Sequence, residues 1–142
     1  MNVNDFSKGV TFVLKWEGGY TNDPDDVGGA TNWGISQRAH PELDIKNLQP
    51  FQALEIYKNE YWLGAGCDAL GYPMNVVVFD SAVNCGVSKA KEWLRKSTTP
   101  EEVIELRKEY YLAIVKRKPT QQKFLKGWLN RLGDLSKLIS AS

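Results

Sequence analysis

Glu17 begins a stretch of acidic and small residues whose types and spacing are suited to acid–base chemistry. The twenty residues from Trp16 to Ile35, WEGGYTNDPDDVGGATNWGI, hold one glutamate, three aspartates and five glycines. Because apolar residues precede Glu17, we expect its carboxyl group to be partly desolvated at the C-terminal end of a helix. Both conditions favour the protonated acid.

Asp26 is our candidate for a second, ionised carboxyl group, because free backbone N–H groups and water in a glycine-rich turn would keep it charged. A protonated and an ionised carboxyl group are the pair that glycoside hydrolysis requires. Asp23 and Asp25 are alternatives to Asp26 for this role. Thr31 is the candidate for holding a nucleophilic water.

The glycines and aromatic residues of the same stretch suit a polymeric ligand. Gly28 and Gly29 permit close approach of a ligand to the backbone. Tyr20 and Trp33 have flat rings that can stack on sugars. We therefore expect both rings to contribute to substrate binding.

Two other interpretations of this stretch compete with a hydrolase site. Its composition is typical of a solvated turn, although loops of this length are usually functional or disordered. Asp23, Asp25 and Gly28 match positions one, three and six of an EF-hand calcium loop. Val27 at position five and Gly34 at position twelve, where a bidentate glutamate is needed, argue against calcium.

Length and composition indicate one globular domain spanning residues 1–142. The chain has 142 residues and 42% hydrophobic content, so it can bury a core without a disulfide or a structural metal. Cys67 and Cys85 are too few for a disulfide framework, and a single histidine cannot complete a zinc site. We expect reduced, mostly buried thiols, no metal, no cofactor and a monomer.

The net charge of +1 hides an asymmetry between two portions of the chain. Residues 1–88 carry 5 Lys/Arg against 11 Asp/Glu (−6), and residues 89–142 carry 13 against 6 (+7). A basic portion can attract an anionic polymer, or it can consist of ordinary solvated helix faces. No dense basic run or nucleic-acid motif is present, which argues against nucleic acid as a partner.

Hydrophobic periodicity predicts a mainly α domain with a glycine-rich acidic loop or short hairpin after the first helix. The first helix follows Asn2 or Asn4 and stops at Gly18. A second helix is expected from Pro50 to about Leu63, with one face formed by Phe51, Leu54, Tyr57 and Tyr61. The apolar run MNVVVFDSAVNCG is compatible with a buried strand or a buried helix, and the spacing of Val76, Phe79 and Val83 favours a helix.

The last third of the chain has the clearest helix signals. Thr99 is a predicted N-cap, followed by Pro100 at the first helical position and by Glu102, which completes a capping box. Pro119 is the expected terminator of this helix. Thr120 is a predicted cap of a last helix whose apolar stripe contains Leu125, Trp128, Leu132, Leu135 and Ile139.

Three segments resemble a known family. EGGYTNDPDDVGGATNWGI, residues 17–35, resembles the signature of glycoside hydrolase family 108, the N-acetylmuramidases found among phage endolysins and bacterial secretion-activator proteins. FDSAVNCG (79–86) and FLKGWLNRL (124–132) are similar to the family's C-terminal segment, a predicted peptidoglycan-binding region. The resemblance covers nearly the whole chain.

The resemblance implies an activity, a fold and roles for particular residues. Glu17 corresponds to the family's catalytic glutamate, and the implied reaction is cleavage of the β-1,4 bond between N-acetylmuramic acid and N-acetylglucosamine in a lysozyme-like fold. It also implies that Asp80, Asn84 and Gly86 face the cleft, where Asp80 and Asn84 bind substrate, and that Arg131 contacts glycan or peptide stem. Asn84 is equally suited to cap a helix. Trp128 can contact glycan or pack in the core.

A looser similarity links the chain to phage-type lysozymes, whose pattern is a glutamate, an aspartate nine positions later and a threonine six beyond that. Asp26 follows Glu17 by nine positions, as in that pattern, whereas Thr31 follows Asp26 by five positions rather than six. A lytic transglycosylase using Glu17 alone and a non-catalytic wall-binding protein are the alternatives in function.

The N-terminal sequence lacks a basic start followed by a long apolar run, and no stretch reaches about 18 apolar residues. We therefore expect synthesis in the cytoplasm, no integral membrane segment, and action on peptidoglycan in the periplasm after release. A holin-type pore of a phage is one release route, and a role in bacterial secretion is the other setting.

Overall fold

The computed structural model describes residues 1–24 and 29–141. These residues form six α-helices, one hairpin and short 3₁₀ turns, so the expected mainly α, lysozyme-like fold with a hairpin after the first helix is confirmed. The helices are α1 (Val3–Trp16), α2 (Pro50–Ile56), α3 (Met74–Cys85), α4 (Val87–Arg95), α5 (Pro100–Arg117) and α6 (Gln122–Ser140). The antiparallel strands are β1 (Thr31–Asn32) and β2 (Ile35–Ser36). In this part of the chain, none of the helices combines the length and the apolar composition that a membrane span requires.

Helix α3 is the centre of the fold. Its residues from Asn75 to Val83 are all buried, as expected for a helix that is apolar around most of its circumference. The ambiguous apolar run is therefore a helix, and Gly86, with a φ of 98°, follows its end. One hydrophobic cluster packs Phe79 against α1 and the chain after α2, and another packs Val76 against α5 and α6.

Close packing of α1 on α3 positions the C-terminal end of α1. Asn2 caps α1, because its Oδ1 accepts the Asp5 N–H at 3.1 Å. A Cβ atom at Gly9 would lie only 2.7 Å from Cδ2 of Phe79, so a larger residue would push the two helices apart. The C-terminal end of α1, with Glu17 as its cap residue, is thus held beside α3.

The predicted apolar face of the second helix is partly wrong. Tyr57 and Tyr61 are buried, but Phe51 is 69% and Leu54 is 47% exposed. The helix widens into a π-helical segment at Tyr57–Trp62, where each turn takes more residues than an α-helical turn. The buried side of this helix contains Ala53, Tyr57 and Tyr61 at steps of four, and Phe51 and Leu54, which precede the π-helical segment, lie outside it.

The hairpin has a tight two-residue turn. Trp33 and Gly34 have φ angles of 57° and 76°, as in a type I′ turn. A positive φ is unusual for a residue as bulky as tryptophan. Two hydrogen bonds hold Trp33: its carbonyl accepts from the Tyr57 hydroxyl, and its indole N–H donates to the Leu48 carbonyl at 3.3 Å.

Helix α5 begins with the predicted capping box. The Glu102 N–H donates to Thr99 Oγ1 at 3.2 Å, and the Thr99 N–H donates to Glu102 Oε1 at 3.0 Å. The prediction that Thr120 caps the last helix is wrong. Thr120 lies within the 3₁₀ turn Pro119–Gln121, whose hydrogen bonding already satisfies the start of α6, and the cap residue of α6 is Gln121.

Replacing Thr99 with Ala should lower the free energy of unfolding by about 1 kcal/mol, because the first turn of α5 loses its cap. Urea unfolding followed by circular dichroism measures this change. Thr120→Ala is the matched control and should leave the midpoint nearly unchanged. Equal losses in both variants would contradict the assignment of the cap.

Candidate functional site

Glu17 lies immediately after α1, where its backbone N–H still donates to the Val13 carbonyl at 2.7 Å. Its side chain is 18% exposed, so the expected partial desolvation is present. Its carboxyl group has a partner that the sequence did not suggest, since Nη1 of Arg131 donates to Oε1. One oxygen of the carboxyl group is thereby fixed by α6.

The hairpin turn packs against the other side of the same carboxyl group. A Cβ atom at Gly34 would lie 2.8 Å from Cδ and 3.0 Å from Oε2 of Glu17. Gly34 also has a positive φ, which L side chains rarely adopt. A glycine is therefore needed here for two reasons, and the turn can approach the carboxyl group closely.

Behind Arg131 lies a buried ionic network centred on Asp80. Arg131 donates from Nη2 to Asp80 Oδ1 at 2.6 Å and from Nε to both carboxylate oxygens at 3.2 Å. Arg107 donates from Nη1 to Asp80 Oδ2 at 2.8 Å. The side chains of Asp80 and Arg107 are 0% exposed and that of Arg131 is 5% exposed. The network connects α3, α5 and α6.

The three groups keep one another charged. Burial raises the pKa of Asp80, but the guanidinium groups of Arg131 and Arg107 lower it further than burial raises it, so the net pKa lies below its usual range. Burial alone would lower the pKa of both arginines, and the charge of Asp80 raises both above their usual value. Asp80 is thus an ionised carboxylate in the interior.

Arg107 extends the network to the end of α3. Its Nε donates to the Tyr111 hydroxyl at 2.8 Å, and that hydroxyl donates to Oδ1 of Asn84. Nη1 of Arg107 also lies 3.2 Å from the Ser81 hydroxyl, which donates to the Val77 carbonyl at 2.7 Å. Asn84 therefore accepts a hydrogen bond from Tyr111, and the C-cap residue of α3 is Gly86.

Two tyrosines near Glu17 remain protonated. Burial, followed by the charge of Glu17, raises the pKa of Tyr57. Burial, followed by Glu60 and Glu17, raises the pKa of Tyr61 to about 12. Tyr57 can therefore serve as a permanent donor to the hairpin turn.

The structure brings together only some of the site residues that the sequence suggested. Glu17, Arg131 and Asp80 are in direct contact, and Trp33 precedes the glycine that packs on Glu17. Asp80 has no exposed surface. Asp26 and its neighbour Asp25 lie outside the described residues.

The remaining suggested residues flank this centre. Tyr20 is 40% exposed. Thr31 forms a bridge with Thr21, in which both backbone N–H groups donate across the pair and the two hydroxyl groups are 2.8 Å apart. Asp23 pairs with Nζ of Lys123 at 3.1 Å, which links the acidic loop to the start of α6.

Aromatic rings line the network on the side of α6. Trp128 stacks on Tyr111 with ring centroids 4.8 Å apart, and Phe124 stacks on Trp128 at 5.8 Å. Trp128 is half-buried and therefore both packs in the core and keeps part of its surface open. Phe124, Trp128 and Arg131 recur at helical spacing, so they share one side of α6.

Arg107 is the main residue that sequence reasoning missed. The spacing of Val103, Ile104, Arg107 and Tyr111 already places it on the buried face of α5. A charged residue on a buried face requires an opposite charge. Asp80 in the apolar run of α3 was the available partner, but pairing across 27 residues could not be derived from periodicity alone.

In the described part of the chain, the cysteines and other potential metal ligands do not form a metal-binding site. Both cysteines are free, and burial raises the pKa of the Cys67 thiol to about 12. Across residues 1–24 and 29–141, no group of three His, Cys, Asp or Glu side chains could hold a metal ion.

Comparisons with known proteins connect this geometry to a family. The model of the family described as Glycosyl hydrolase 108 matches residues 10–86, and the model described as Predicted Peptidoglycan domain matches residues 80–133. The chain is also similar to the solved structure of SagA from Brucella abortus, with 25% identity and a TM-score of 0.78 over 97% of this chain and 95% of that one. No curated protein matches the chain significantly.

The first family match contains Glu17, the hairpin and Asp80, and the second contains Asp80, Arg107 and Arg131. The residues that meet in the buried network thus come from both matched segments, and the first match alone covers more than half of the chain. The chain belongs to the glycosyl hydrolase 108 family.

Proposed function

We propose that the protein is an N-acetylmuramidase that cleaves the β-1,4 bond between N-acetylmuramic acid and N-acetylglucosamine in peptidoglycan, with Glu17 as the general acid. The observation that carries this proposal is the setting of Glu17. Its carboxyl group is partly exposed, held by Arg131 through one oxygen and approached by a glycine turn at the other. Family membership and the peptidoglycan-domain match support the substrate class.

In the proposed mechanism Glu17 transfers its proton to the glycosidic oxygen as the bond to the anomeric carbon breaks. Asp26, with Thr31 nearby, directs water to the anomeric carbon or stabilises the positive charge on the sugar. Separation of the two carboxyl groups by about 6.5–9.5 Å would indicate inversion, and about 5–5.5 Å would indicate a covalent, retaining route.

Substrate contacts are proposed for the open surface around Glu17. Tyr20 and Trp33 are candidates for stacking on sugar rings, and Asn84 and Arg131 are candidates for contacts to the glycan. Asp80 has no exposed surface, so we propose that it acts by holding Arg131. The biological setting, phage lysis after release from the cytoplasm or assistance to bacterial secretion, is part of the same proposal.

A lytic transglycosylase is the second candidate, because it would need Glu17 alone. Among the described residues, Glu17 is the acidic side chain that is both partly exposed and in contact with the network, whereas Asp80 is fully buried. A single glutamate suffices for a transglycosylase, which uses no attacking water.

Substituting Glu17 with Gln should lower peptidoglycan cleavage by about 10²–10⁴-fold, the range that a general acid contributes. Release of soluble fragments from purified peptidoglycan measures the loss. Glu105→Gln, on the exposed side of α5, is the matched control and should retain full activity. Full activity of Glu17→Gln would remove Glu17 from the mechanism, and a wild type that binds peptidoglycan without solubilising it would support a non-catalytic binding protein.

Mass spectrometry of the digested peptidoglycan should find reducing muramic acid ends, because water is the acceptor in hydrolysis. The transglycosylase candidate predicts 1,6-anhydromuramic acid ends, each lighter by one water. Digestion with a known muramidase supplies the reference masses. Anhydro ends as the main product would replace the muramidase proposal with its alternative.

Alanine substitutions at Asp23, Asp25 and Asp26 in parallel should give the largest loss of activity at Asp26, because it is the proposed partner of Glu17. Lys123→Ala is the control for Asp23, since it breaks the same ion pair without removing a carboxyl group. Fragment release from peptidoglycan is the measurement. An unaffected Asp26→Ala variant would refute the assignment and leave the variant with the largest loss as the partner.

A further inference from the structure

Two carboxyl groups and two guanidinium groups alternate in an unbroken row from the protein surface to its centre. Glu17 contacts Arg131, Arg131 contacts Asp80, and Asp80 contacts Arg107. Exposure of the side chains falls from 18% at Glu17 to 0% at Asp80 and Arg107.

Arg131 binds Glu17 in an asymmetric way. Nη1 contacts Oε1, and Oε2 is the oxygen beside Gly34. A guanidinium group donates hydrogen bonds and accepts none, and Asp80 keeps this one charged. Oε1 must therefore act as the acceptor, which leaves Oε2 as the oxygen that can carry a proton.

Arg131 in turn owes its orientation to Asp80. Two of its nitrogens bind the Asp80 carboxylate, and the third points to Glu17. Asp80 is held from its other side by Arg107, which also contacts Ser81 and Tyr111. Arg107 is buried and contacts neither Glu17 nor any open surface.

We propose that this row aims the catalytic acid: Arg131 restricts the transferable proton to Oε2 of Glu17, and Arg107 is a positioning residue that acts on Glu17 through Asp80 and Arg131. The inference rests on the proposed function of Glu17 as the general acid. In the reaction step, the proton leaves Oε2 for the glycosidic oxygen. The electron pair of the breaking bond goes to that oxygen, and the Glu17 carboxylate remains paired with Arg131.

This role differs from two simpler ones in what it predicts. If Arg131 only bound substrate, its loss would raise KM and leave kcat unchanged. If Arg107 only stabilised the fold, its loss would lower the melting temperature and leave the kcat of the folded enzyme unchanged. A positioning role lowers kcat at unchanged KM, since small misplacement of a reacting group is costly for rate.

The test compares Arg107→Met and Arg107→Lys with Arg117→Met, an exposed position on the same helix. Soluble glycan chains prepared from peptidoglycan are the substrate, and rates are measured well below each variant's melting temperature. We expect Arg107→Met to lose about 10–100-fold in kcat with KM unchanged. Arg107→Lys keeps a cation for Asp80 and should recover most of the loss, and Arg117→Met should match the wild type.

Removing Arg107 alone leaves Asp80 with one cation fewer, which can prevent folding. The double variant Asp80→Asn/Arg107→Met removes both charges of this pair and avoids an unpaired buried carboxylate. It should show the same loss of kcat. Wild-type kcat in either folded variant, or a rise in KM alone in Arg131→Lys, would overturn the proposal.

A crystal structure of the double variant tests the positioning role without using activity. We expect the Arg131 guanidinium to reorient once the Asp80 carboxylate no longer holds it, and the Glu17 carboxyl group to shift with it. An unmoved Glu17–Arg131 contact would overturn the inference. If the wild type released no fragments from peptidoglycan, the proposed function would fail, and this structural comparison would still decide whether Asp80 and Arg107 together hold Glu17 in place.

Discussion

Asp80 is a carboxylate without access to water, and the rest of the site depends on how its charge is balanced. An isolated ion in a protein interior is very unfavourable, so the fold must supply cations at hydrogen-bonding distance. Arg107 from α5 and Arg131 from α6 do so; α5 packs on α3, and α6 packs on α5. The helical packing that buries Asp80 therefore also determines where Arg131 meets Glu17.

Much of the architecture could be predicted because local signals coincided with the tertiary environment. The capping box at Thr99 and the stripe containing Leu132, Leu135 and Ile139 depend on neighbours in sequence, and both are present. The second helix shows the limit of this approach. Phe51 and Leu54 are apolar and suitably spaced, but the tertiary contacts bury the side of the helix that contains Ala53, which periodicity alone does not select.

The sequence allowed the types of residue in the site to be predicted, but not the contacts between them. Glu17 was recognisable from its apolar helix and the glycine-rich stretch that follows, whereas its contact with Arg131 spans 114 residues. The sequence singled out Gly28 and Gly29 for close approach, and the role of Gly34, whose turn packs on the Glu17 carboxyl group, depends on tertiary structure. The burial of Asp80 likewise depends on α5 and α6, and the sequence around Asp80 does not show that these helices cover it.

The two family matches overlap at residues 80–86, and Asp80 is the first residue of that overlap. Its cations lie in the second segment and the carboxyl group that they align lies in the first. The segments are therefore not interchangeable modules. A chimera that joins the first segment of this chain to the second segment of a relative would need a cationic residue at both matching positions, or it would leave the buried charge of Asp80 less well balanced.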